Sequence, residues 1–145
     1  MPTSVVQGPG NNFLVGCGDH DGTQFEPNEY VIDLTPGNTI TCLHGDSKNS
    51  VNCVEITNVG GVDEVWYNSG DNRYYLAARD MPTGPVMGVI DAKTNLWLPP
   101  NTPTGANSHS IAVDPHTNHV FVGLQSGPAC TTLNADGCVG VFAQQ

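Results

Sequence analysis

Apolar residues along this chain fall in short runs of six or seven positions: NNFLVG (11–16), EYVIDL (29–34), RYYLAA (73–78), PVMGVID (85–91) and HVFVGL (119–124). They are rich in Val, Ile, Tyr and Phe and are bounded by Gly, Pro, Asn and Asp, the pattern of strands separated by tight turns. No window keeps apolar residues at i, i+3, i+4 and i+7 without an interrupting Gly, Pro or Asn, so no long amphipathic helix is predicted. The expected fold class is all-β.

The runs also repeat. NSGDNRYYLAA (68–78) and DPHTNHVFVGL (114–124) align without gaps at an offset of 46, and QGPGNNFLVGC (7–17) is a third, weaker copy, 61 residues before the first. A second apolar run comes after each copy, with Ile32-Asp33 and Ile90-Asp91 at matching places. A period of about 40 to 50 residues with up to four strands per unit is the mark of propeller blades. Three units are expected, at about 2–58, 59–104 and 105–145, forming a single partial β-propeller domain. TITCL (39–43) is expected to be the outer strand of the first unit and HGDSKNSVNCVEIT (44–57) an insertion beside it. The third unit ends before an outer strand.

Turn chemistry agrees with this layout. Asp114-Pro115 starts a turn, because Pro fixes φ and the Asp side chain accepts backbone N–H bonds two residues on. Asn72 and Asn118 tolerate the left-handed conformation that closes a hairpin. His116 then falls in a turn and His119 at a strand start, while His109 opens the strand before them. His109 and His116 lie about 20 Å apart along extended chain, too far to share a metal ion. In the first strand of the second unit the counterpart of His109 is Asp63, beside Glu64, and in the first unit it is Pro2. Trp66, Tyr74, Tyr75 and Trp97 are expected to pack between units, with a carbohydrate-stacking platform as the sharper alternative.

These phrases carry a resemblance. GVDEVWYNSGDNRYYLAA (61–78), GVIDAKTNLW (88–97) and SHSIAVDPHTNHVFV (108–122) resemble blades of the YVTN/lactonase-type and gluconolactonase-like propellers, over nearly the whole chain. The motifs specify fold more than chemistry, since such propellers include metal-dependent lactonases, other hydrolases, lyases and non-catalytic binding proteins. The resemblance implies a possible divalent, calcium-like metal site at the mouth of the central channel, for which the available residues are Asp63, Glu64, Asn107 and His109. Oxygen donors with one imidazole suit a hard or borderline cation. These four come from two units only, whereas the family's site draws on blades around the ring. No Gly-x-Ser-x-Gly elbow, His-Glu-x-x-His helix or phosphate loop is present.

Charge narrows the partners. Four Lys and Arg stand against fourteen Asp and Glu, a formal net charge of −10. Binding a polyanion needs clustered cations, so neither nucleic acid nor an anionic membrane is an expected partner. No apolar run approaches the roughly 20 residues of a membrane span, and no signal-peptide pattern is seen.

Of the five cysteines, Cys130 and Cys138 bracket one loop and Cys42 and Cys53 bracket the insertion, so two disulfides are expected, with Cys17 a buried free thiol. Two such pairs favour an oxidising, extracellular setting.

Three blades do not close a ring. Completion is expected from homo-oligomerisation, as a six-bladed dimer or a filament, or from the remaining blades of a longer parent chain. The expected function is thus an extracellular propeller module acting in self-assembly or in ligand or protein binding. The alternative is a portion of a metal-dependent lactonase-like hydrolase. Val5, Phe13 and Val15, with Ile111, Val113, Val120 and Val122, are the apolar residues of the terminal units, about half of them expected to face outward.

Overall fold

The computed structural model describes residues 1–18, 28–130 and 136–143. Strands β1 (Pro2–Gln7), β2 (Asn12–Cys17), β3 (Glu29–Asp33) and β4 (Cys53–Ile56) form sheet one. Sheet two holds β5 (Val62–Asn68), β6 (Arg73–Ala78), β7 (Val86–Asp91) and β8 (Leu96–Trp97), with β9 (Thr102–Pro103) also paired to β7. Sheet three holds β10 (Ser110–Asp114), β11 (His119–Leu124) and β12 (Cys138–Phe142). All pairings are antiparallel, and all but that of β7 with β9 join strands that follow one another in the chain. The described residues are all-β, in three antiparallel sheets.

The turns form for the reasons the residues suggest. Asn72 and Asn118 close the first hairpins of sheets two and three at φ 59° and 57°, in the left-handed region. Asp114 Oδ1 accepts the N–H of His116 at 2.9 Å, and its Oδ2 accepts the hydroxyl of Thr117 at 2.7 Å. Asp91 does the same for Lys93 and Thr94, and Asp33 for Thr35. These hydrogen bonds hold the three carboxyls below their ordinary pKa, although all lie at the surface. His116 and His119 are thus turn and strand-start residues.

Alternation gives each sheet two faces, and two cores result. Leu14, Val31 and Ile56 of sheet one pack with Val62, Val65, Tyr74, Leu76 and Ile90 of sheet two. Tyr75, Ala77 and Met87, on the opposite face of sheet two, pack with Ile111, Val113, Val120, Val122 and Leu124 of sheet three. Sheet two is therefore sandwiched. Tyr74 and Tyr75 are buried on opposite faces of it and Trp97 packs against the first core, whereas Trp66 is exposed.

Three local expectations need correction. The outer strand of sheet one is Cys53–Ile56, inside the stretch read as an insertion, and TITCL contributes only a single bridge between Thr41 and Val51. Pairing of Glu29 with Ile56 carries Ile56 into the core, while Ile40 and Leu43 stay exposed.

The first hairpin of sheet one is one residue shorter than its counterparts, with Gln7 opposite Phe13 where sheet two has Tyr67 opposite Tyr74, and Gly10 at φ 65°. That register makes Thr3, not Pro2, the counterpart of Asp63, and both sit where a β-bulge interrupts the pairing.

Finally, Ile111, Val113, Val120 and Val122 all face sheet two, because all four stand at alternate positions of paired strands. The outward apolar residues of sheet three are Ala112, Phe121, Val139 and Val141.

Candidate functional site

The first strands β1, β5 and β10 run beside one another, and the candidate metal ligands sit at their ends. Asp63 occupies the bulge of β5, and its Oδ2 lies 2.9 Å from Nη1 of Arg79, which also reaches Asp80. Glu64 turns towards sheet three, where its Oε2 accepts the backbone N–H of Ile111 at 2.9 Å. Asn107 is in the left-handed conformation at φ 55°, and its carbonyl accepts the N–H of His109.

Asn107 and His109 line a cleft of about 500 Å³ together with Gln125 and Asp136, and neither Asp63 nor Glu64 lines it. Among the described residues no three His, Cys, Asp or Glu side chains converge as metal ligands. The structure thus brings Asn107 and His109 together and engages Asp63 and Glu64 elsewhere. A cation held by all four would have to release Arg79 from Asp63 and leave the Ile111 N–H without its acceptor, each at a cost.

A second group was not legible as a site. Glu29 is fully buried on the inner face of sheet one, with Oε2 accepting the N–H of Cys17 at 2.5 Å and Oε1 without a hydrogen-bond partner among the described residues. Burial pushes its carboxyl up to about 9, so at neutral pH it carries its proton. Burial first, and Glu29 second, push the Cys17 thiol up to about 11, which keeps it from acting as a nucleophile. One signal existed: Glu29 alternates with core Val31 along β3.

Both expected disulfides form, Cys42–Cys53 and Cys130–Cys138, with Cα–Cα separations of 5.5 and 5.6 Å. Cys17 is free and buried. The two bridges fit an oxidising environment.

Apolar surface is the other conspicuous feature. The outer face of sheet one carries Val5, Phe13, Val15 and Ile32, and a cleft of about 400 Å³ there is lined by Val15, Tyr30, Ile32 and Ile40. The outer face of sheet three carries Phe121, Val139 and Val141, all exposed. No helix among the described residues is long and apolar enough to cross a membrane.

No protein-family model matches the chain, and no curated protein is found to be similar to it. The resemblance to lactonase-type propellers rests on the sequence phrases themselves.

Proposed function

We propose that the three sheets are blades of a β-propeller, and that the chain is a non-catalytic extracellular module whose activity is association through its blade faces. The observation that carries this reading is the unequal treatment of equivalent faces. Among the described residues, sheet two is covered by a sheet on both sides, whereas sheets one and three each have one apolar face with no sheet over it. Exposed apolar faces of this kind mark interaction surfaces. The two disulfides support the extracellular assignment, since such bridges persist in oxidising compartments. Few basic residues and a net charge of −10 argue against nucleic acid and anionic membranes as partners.

A second reading, a lactonase-like hydrolase with a divalent cation near Asp63, Glu64, Asn107 and His109, is favoured by one observation. Asn107 and His109 share a cleft with Asp136. Thermal unfolding separates the two. For an associating module, each tenfold rise in protein concentration lifts the midpoint of a dimer by about 2 °C, and calcium leaves it unchanged. A concentration-independent midpoint raised by calcium, with the rise abolished in His109→Ala, would favour the hydrolase.

A further inference from the structure

The open faces of the terminal sheets are the two halves of a contact that the chain already makes twice. We infer that the outer face of sheet three packs on the outer face of sheet one of a second copy, head to tail. This inference rests on the blade reading above.

Strand pairing fixes which residues are equivalent. Tyr75 pairs with Val89 and Ala77 with Met87 in sheet two, while Phe121 pairs with Val141 and Gly123 with Val139 in sheet three. Phe121, Val139 and Val141 therefore stand where sheet two has Tyr75, Met87 and Val89. In sheet two these positions are covered by sheet three, with Tyr75 and Met87 at 2% and 5% exposure. In sheet three Phe121, Val139 and Val141 are 36%, 62% and 57% exposed.

Sheet one shows the complementary case. Val5 pairs with Val15, as Val65 pairs with Leu76, and Phe13 and Ile32 are paired as Tyr74 and Ile90 are. Val65, Tyr74, Leu76 and Ile90 are all buried under sheet one. Among the described residues no sheet covers their counterparts in sheet one, and Val5 is 64% exposed.

One face thus has the residues that receive the next sheet, and the other has those that are received. A second copy supplies both complements at once. The contact is heterologous, with different surfaces on the two copies, and two copies close a ring of six sheets if the rotation allows.

Complementation by variants tests this directly. Val5→Lys blocks the face of sheet one and Phe121→Lys the face of sheet three, with Val141→Lys as a second variant of that face. All three positions are surface-accessible, and circular dichroism with urea unfolding checks that each variant keeps its fold.

Burying an unpaired ammonium should weaken the contact by about a hundredfold, so each variant alone sediments as a monomer where the native chain associates. An equimolar mixture of Val5→Lys with Phe121→Lys or Val141→Lys retains one intact pairing and should give a two-chain species. Persistent association of Val5→Lys alone, or a mixture that stays monomeric, overturns the head-to-tail pairing while leaving the association reading standing. A native chain that never associates overturns both.

Discussion

Glu64 of sheet two accepts the backbone N–H of Ile111 at the second residue of β10, at 2.9 Å, joining adjacent sheets through a side chain. A lost acceptor leaves a part-buried N–H unsatisfied, at a cost of about 1–3 kcal/mol. Glu64→Ala should lower the free energy of unfolding by about that amount, and Glu64→Gln, which keeps an oxygen acceptor, by less. Urea unfolding of the two variants reads the difference. Equal losses in both would mean that the carboxylate charge, rather than the hydrogen bond, holds the sheets together.

The buried Glu29 carboxyl makes stability depend on pH. Its pKa rises from 4.5 to about 9 on folding, chiefly through burial, so the folded chain holds the proton more tightly than the unfolded one. The stabilisation is complete below about 4.5 and is lost as pH rises through about 9. Across that window the native chain should lose up to about 1.4 kcal/mol per pH unit from this group. Glu29→Gln should flatten the slope, as measured by urea unfolding at a series of pH values. An unchanged slope in the variant would place the titrating group elsewhere.

Non-reducing peptide mapping should recover Cys42 joined to Cys53 and Cys130 joined to Cys138. Loops this short constrain the unfolded chain by about 2.5 kcal/mol each on the chain-entropy model. Removing either pair by double Ser substitution should cost about that much. Cys17 should resist alkylation at pH 8 until the chain unfolds, because its thiol is buried and titrates near 11. Rapid labelling of the native chain would contradict its burial.

Local pattern revealed much of this architecture, and tertiary context supplied the rest. Alternation and the turn residues Asn72, Asn118, Asp91 and Asp114 were enough to place the hairpins, since each acts on its own few residues. Cysteines bracketing short loops were equally local. The outer strand of sheet one was not legible, because TITCL and CVEI are both short β-branched runs and only the pairing of Ile56 with Glu29 decides between them. Which half of the sheet-three residues faces outward was likewise hidden, since alternation defines two faces without saying which meets sheet two.

The candidate metal set had a similar limit. Spacing along separate strands aligned Asp63 with His109, but it did not show Arg79 on Asp63 or Ile111 on Glu64.

The central claim is that the open apolar faces of sheets one and three are covered by association. Sedimentation velocity of the native chain at micromolar concentration tests it most directly. Leaving several hundred Å² of apolar surface wet costs, at about 25 cal/mol per Å², an amount that rivals the stability of a small domain. The predicted result is a species of two or more chains that dissociates on dilution. A single sharp monomer boundary at every concentration, with cooperative unfolding, would contradict the account.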